Sequence, residues 1–76
     1  MIDDITLAEW PSSLGNVVQV RLCSYRGHLR VDIREWYARD GKLCAGRKGI
    51  SINPRHLRTL GKAVRRARAL AKKAKV

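Results

Sequence analysis

The chain predicts an α+β fold: a four-stranded curved antiparallel sheet followed by one long C-terminal helix, assembled as a homodimer. Three observations predict it. Between residues 17 and 52, apolar side chains recur at every second position in short runs broken by Gly-containing turns, which is the period of half-buried strands. From Pro54 onward the apolar spacing changes to three and four, the period of one helix face. The chain has only 76 residues and no Phe, so its large apolar residues are too few to close a core alone and a partner chain completes the burial.

Residues 1–15 read as a lead-in, with Pro11-Ser12-Ser13 and Gly15 interrupting regular structure. The first strand runs from about Val17 to Ser24, where Val18, Val20 and Leu22 alternate with Gln19, Arg21 and Cys23. Tyr25-Arg26-Gly27-His28 is the turn into a second strand, about Leu29 to Tyr37. In that strand Leu29, Val31 and Ile33 alternate with Arg30, Asp32 and Arg34, and Trp36 and Tyr37 end it with adjacent rings on opposite faces. Asp40-Gly41 is a hairpin signal, because Gly adopts positive φ without steric cost. A third short strand, about Lys42 to Ala45, leads through the hinge Gly46-Arg47-Lys48-Gly49 to a fourth, Gly49 to Ile52. Four such strands form a meander.

Asn53 then offers a helix cap and Pro54 suits the first helical position. The helix runs to about Ala74. Leu57, Leu60, Val64, Ala67, Ala71 and Ala74 share one side, and Arg55, Arg58, Lys62, Arg65, Arg66, Lys72 and Lys73 cover much of the remainder. Gly61 either admits close helix–helix approach or marks a bend. The first reading is preferred, which makes Leu57, Leu60, Gly61 and Val64 the candidate dimer contacts. The chain thus divides into a lead-in (1–15), a ββββα domain (16–64) and a basic helical extension (65–76).

Formal charge is +11, and it is unevenly placed. Residues 1–40 hold five Lys/Arg and six Asp/Glu, whereas residues 41–76 hold twelve Lys/Arg and no acid. A half-chain with no acid to offset its bases seeks a polyanion. Glycines on both sides of Arg47 and Lys48 let the backbone approach a phosphate closely while two cations neutralise it. With aromatic rings nearby on a sheet, the pattern predicts a groove for a stacked, negatively charged polymer.

Other chemistries lack their parts. Cys23 and Cys44 lie 21 positions apart and His28 and His56 are isolated, so no short-spaced ligand pair marks a metal site. No metal and no cofactor are expected. Both cysteines are expected as free thiols in a reducing cytosol, because the acidic Met1-Ile2-Asp3-Asp4 start has no secretory character. No apolar run approaches the ~20 residues of a membrane span. Gly41 to Lys48 nearly spells a nucleotide-binding loop, but Arg47 stands where the Lys belongs and Lys48 where Ser or Thr would hold magnesium. Asp32 and Glu35 fall on opposite faces of one strand, so no paired carboxylates exist for metal-dependent hydrolysis and no catalytic residues are expected.

At Asp32-Ile33-Arg34-Glu35 and Gly46-Arg47-Lys48-Gly49-Ile50-Ser51, with this spacing, the sequence resembles the transcriptional positive cofactor four family of single-stranded-DNA-binding proteins. Val20 to His28 and Leu7-Ala8-Glu9-Trp10-Pro11 resemble the first strand, first turn and lead-in of its bacterial members. The resemblance runs from about Leu7 to Leu60. It implies a dimer whose sheets extend into a channel for single strands. It places Arg26 and His28 at positions of backbone-contacting cations, with His28 a departure in charge. Tyr25 takes the aromatic position of that turn and Tyr37 the stacking position at the end of the second strand. Simple alternation instead sets Trp36 beside Arg30 and Arg34, so both rings remain candidates. Arg47 and Lys48 are the main phosphate contacts, and Arg30 a supplementary one. Arg34 either reaches the nucleic acid or pairs with Asp32 or Glu35.

The expected function is sequence-independent single-stranded DNA binding in transcription, replication or repair, in the cytoplasm at the nucleoid, or in the nucleus of a eukaryote. Two alternatives stand beside it. One is an RNA-binding or duplex-DNA-compacting protein using the basic helix, and the other an adaptor for an acidic transcription protein.

Overall fold

The structure is a computed structural model and describes residues 4–12 and 15–74. It contains a four-stranded antiparallel sheet in the order β1-β2-β3-β4, followed by one helix. The strands are β1 (Ile5–Pro11), β2 (Val17–Tyr25), β3 (His28–Arg39) and β4 (Lys42–Ile52). A 3₁₀ turn, Pro54–His56, leads into α1, Leu57–Ala74. The fold class matches the sequence expectation, but the four strands are cut differently.

Two differences have one cause. Residues 5–11 form an edge strand on β2, where an irregular lead-in is expected from the sequence. Ile5 pairs Leu22, Ala8 pairs Val20 and Trp10 pairs Val18, with a register shift between Thr6 and Ala8. That shift places Leu7 out of step, which breaks the alternation that would reveal the strand. The two short strands expected on either side of the Gly46–Gly49 hinge are one continuous strand, β4. Arg34 pairs Gly49 and Trp36 pairs Ala45, so Gly46, Arg47 and Lys48 together face the single residue Glu35. The segment is a bulge within a ladder.

Both tight hairpins form as their residues predict. Tyr25 pairs His28 around Arg26-Gly27, and Arg39 pairs Lys42 around Asp40-Gly41. All four central residues have positive φ, at 50° and 80° in the first turn and 53° and 77° in the second, as a two-residue type I′ hairpin requires. Just beyond β4, at the sheet end that holds the first hairpin, the Asn53 side chain accepts a hydrogen bond from the Arg55 N–H at 3.1 Å. This caps the 3₁₀ turn that starts the helix.

Cross-strand partners share a face. Val20 and Leu22 therefore lie with Ile33 and Val31, and these with Ile50 and Ile52. The opposite face carries Gln19, Arg21, Cys23, Arg30, Asp32, Arg34 and Trp36. Cys23 and Cys44 fall on opposite faces (opposite Arg30 and Tyr37 respectively), so their thiols do not meet.

The apolar face is barely covered. Among the described residues Val31, 4% exposed, is the only buried apolar side chain. The helix leaves the sheet through the 3₁₀ turn, which touches β3, and none of its side chains is buried. Space above Gly61 is open, with no atom within 4 Å of the position its Cβ would take. The radius of gyration is 14.4 Å for 76 residues, against about 11.4 Å for a compact chain of that length. The accessible surface is 6659 Å² at 8.6 kDa, against about 4,700 Å² for a compact monomer of that mass. The single chain thus carries an excess of roughly 2,000 Å² of surface.

Candidate nucleic-acid interface

Alternation along β3 separates the predicted interface residues into two clefts. On the polar face, Tyr25, Arg30, Asp32, Arg34 and Ser51 line a cleft of about 380 Å³. Arg30 donates from Nε to the Ser51 hydroxyl at 3.0 Å and from Nη2 to the Ser51 carbonyl at 3.1 Å. On the other side, Tyr37, Arg47 and Lys48 join Asn16, Glu35 and Gly46 around a cleft of about 290 Å³. Tyr37 sits on the face of Ile33, whereas Trp36 sits on the face of Arg34.

Arg34 is engaged within the protein. Its Nε and Nη2 donate to the two Asp32 carboxylate oxygens at 3.0 and 2.9 Å, and its Nη1 donates to the Gly46 and Arg47 carbonyls at 3.0 and 3.4 Å. The two residues are two apart on one strand and so share a face. A planar guanidinium matches a carboxylate with two parallel bonds, and its remaining edge ties down the bulge. The Asp32 hydrogen bonds hold the Arg34 guanidinium above its ordinary pKa.

The bulge exists because its two glycines let strands approach. A Cβ on Gly46 would stand 2.6 Å from the Glu35 carbonyl oxygen, and one on Gly49 2.8 Å from Cζ of Arg34. Arg47 and Lys48, between them, are exposed at the sheet edge. Across the cleft, Glu35 accepts from the Ser12 hydroxyl at 2.7 Å and from Asn16 Nδ2 at 3.3 Å. Those two bonds, with the Lys48 cation as a smaller influence, hold its carboxyl below the usual value. The one acid in this cleft is thereby kept ionised and anchored to the β1–β2 connection. Ser12 and Asn16 carry no periodic or motif signal, and sequence reasoning misses them.

The two neighbouring rings differ in access. The Arg21 guanidinium lies 4.9 Å from the centroid of Trp36, a cation–π contact that covers one ring face. Tyr37 is exposed on its own side of the sheet. Tyr25, 62% exposed, stands at the tip of the first hairpin with Arg26 at 5.3 Å from its ring centroid. His28, exposed, faces Tyr25 across that turn. Arg26 itself holds a left-handed conformation at φ 50°, which costs an ordinary side chain about 1–2 kcal/mol. Arg26→Asn, which suits a type I′ turn, is expected to raise the melting temperature while weakening nucleic-acid binding. Thermal melts and anisotropy on the same variant check both halves.

Elsewhere, burial pushes the Cys23 thiol up, with Asp4 adding to it, so it remains protonated and a poor nucleophile. Among the described residues no three His, Cys, Asp or Glu gather as a metal site, and no helix is long and apolar enough to cross a membrane.

The chain is thus a four-stranded meander with a glycine-framed cationic bulge, an adjacent exposed ring and a following helix. Residues 12–63 match the family model described as Transcriptional Coactivator p15 (PC4), and the chain belongs to that family. The family consists of transcriptional coactivators known for binding single-stranded DNA and is not a family of enzymes. The chain is similar to an RNA polymerase II transcriptional coactivator of Drosophila melanogaster, with 44% identity over 41 residues, covering 54% of this chain and 37% of the relative. It is also similar to the RNA polymerase II transcriptional coactivator KIWI of Arabidopsis thaliana, with 40% identity over 42 residues, covering 55% and 39%. The chain thus spans less than two-fifths of the length of these relatives. No solved structure matches it significantly.

Proposed function

We propose that this chain binds single-stranded DNA without sequence preference, as a homodimer, in support of transcription, replication or repair. The observation that carries the reading is the cleft in which the Tyr37 ring shares one wall with Arg47 and Lys48. A ring accepts any base by stacking, worth ~1–3 kcal/mol per base, and adjacent cations take the backbone. In this reading Arg47 and Lys48 track the phosphates beside Tyr37, while Arg26, assisted by Arg30 and His28, takes phosphates at the first hairpin, where Tyr25 offers a separate stacking ring on the opposite face of the sheet. Arg34 is a positioning residue that fixes the bulge, and Trp36 is a support for the sheet beneath Arg21.

Dimerisation is supported by the excess surface and by the apolar side of the helix, where Leu57 and Val64 are exposed. Leu57, Leu60, Gly61 and Val64 form the contact in this reading. Transcription proteins are further partners, in keeping with the relatives' names, and the location is the nucleus or the nucleoid. The bacterial-type assignment rests on residues 7–11 and 20–28 and belongs to the same reading.

Fluorescence anisotropy of a labelled single strand of ~20 nucleotides across a salt series tests it. With about five phosphates neutralised per site, the log–log slope is about −3.5. Removing two cations in Arg47→Ala/Lys48→Ala is expected to flatten it to about −2. Tyr37→Ala is expected to weaken binding by roughly 5- to 150-fold with little change of slope. A parent slope near zero overturns the electrostatic mechanism.

A further inference from the structure

We propose that the outer face of α1 is a second nucleic-acid site, one that binds duplex DNA without sequence preference. The helix is divided cleanly along its length. At about 100° per residue, Lys62, Arg65, Arg66, Arg68, Lys72 and Lys73 fall within one arc of about 160°, and every large apolar residue falls in the opposite arc. All six cations are exposed. The helix contains no Asp or Glu, so nothing along it answers their charge. Lys62–Arg66 and Arg68–Lys72 are like-charged pairs four residues apart, and such pairs weaken a helix unless an anion neutralises them.

The arrangement within the arc favours a duplex. Arg65, Arg68 and Lys72 form one row and Lys62, Arg66 and Lys73 a second, roughly 100° apart, with the small Ala69 and, about three turns nearer the helix start, Arg58 between them. A helix about 10–12 Å across fits a major groove about 12 Å wide. Seated there with Ala69 toward the floor, its two rows point at the phosphates of the two strands. A flexible single strand offers only one such row. The arc carries no Asn or Gln to read adenine, and with both cationic rows aimed at the strands the proposed contact is to the backbone. The apolar arc faces the other way, which leaves this surface open whether the chain is single or paired.

Anisotropy of a labelled blunt 20-base-pair DNA, with the full chain, tests the proposal. The parent is expected to bind with a log–log salt slope of about −5, from six phosphates at ~−0.9 each. Arg65→Gln/Arg66→Gln/Lys72→Gln/Lys73→Gln is expected to lose at least about thirty-fold on the duplex and to bind a single strand within about threefold of parent, with circular dichroism retained and a melting temperature no lower than the parent's, since both like-charged pairs are removed. Arg65→Lys/Arg66→Lys is expected to keep duplex affinity. A parent-only measurement covers a variant that fails to fold: saturating oligothymidine is expected to leave the labelled duplex bound. Absence of duplex binding by the parent, an unaffected variant, equal losses on both ligands, displacement by oligothymidine, or preferential displacement by RNA each overturns the proposal. The single-strand results by themselves decide the reading of the sheet, so the two can fail separately.

Discussion

A tenfold rise in protein concentration is expected to raise the melting temperature by about 4 °C, and Val64→Asp is expected to abolish the folded state at micromolar concentration. The first number follows from mass action. If two chains fold together, tenfold concentration contributes about 1.4 kcal/mol. Unfolding two chains of 76 residues at about 2.1 cal/mol/K per residue divides that into about 4 °C. The second follows from where Val64 sits. It is 58% exposed in the protomer, and substitution at such a position in a lone domain stays within about ±0.5 kcal/mol. In a two-fold interface the same change removes a buried valine from both chains and sets two carboxylates against an apolar surface, at about 3 kcal/mol or more per copy. Thermal melts over a hundredfold concentration range, with sedimentation of the variant, check it. A melting temperature independent of concentration and a Val64→Asp variant of parent stability would show that the protomer stands alone.

Gly46→Ala is expected to lower the melting temperature by about 10 °C and to weaken single-strand binding with it. The added methyl carbon would lie 2.6 Å from the Glu35 carbonyl oxygen. The obstacle is backbone, so the strands must part. Overpacking of this kind costs about 1–3 kcal/mol, and each kcal/mol moves a domain of this size by about 4–8 °C. Parting the strands also removes the Gly46 carbonyl from Arg34 Nη1, 3.0 Å away, and releases Arg47 and Lys48 from their place beside Tyr37. Gly41→Ala, in a turn where no atom lies within 4 Å but φ is +77°, separates the two effects. It is expected to destabilise through backbone strain and to leave the cleft and its affinity intact. Equal affinity for Gly46→Ala and the parent would show that the bulge does not position the cations.

Much of this was legible in the residues. Strict alternation in β2 and β3 announces two strands, Arg26-Gly27 and Asp40-Gly41 announce the hairpins, and the change of period at Pro54 announces the helix. Opposite faces for Trp36 and Tyr37 follow from adjacency alone. What escaped has a physical reason each time. β1 is hidden because Leu7 sits at a register shift, and a period of two cannot survive an extra residue. The continuity of β4 is hidden because paired glycines signal a hinge and a close approach equally well. The Ser12 and Asn16 bonds to Glu35 join residues 23 and 19 positions apart, and no local pattern carries such a contact. The sequence allows Arg34 either to reach outward or to pair with a neighbouring acid, and two parallel bonds to Asp32 engage it within the protein.

Among the described residues a single apolar side chain is buried, so under the proposed dimerisation the chain has little to hold it together before it meets a second copy. Folding that waits on an encounter makes the supply of working protein depend on the square of chain concentration when chains are scarce. Halving synthesis then leaves about a quarter of the folded product, while surplus synthesis is converted almost completely. In a cell that clears unfolded chains, such dependence is a threshold on gene dosage, set by the protein's own surface with no regulator required.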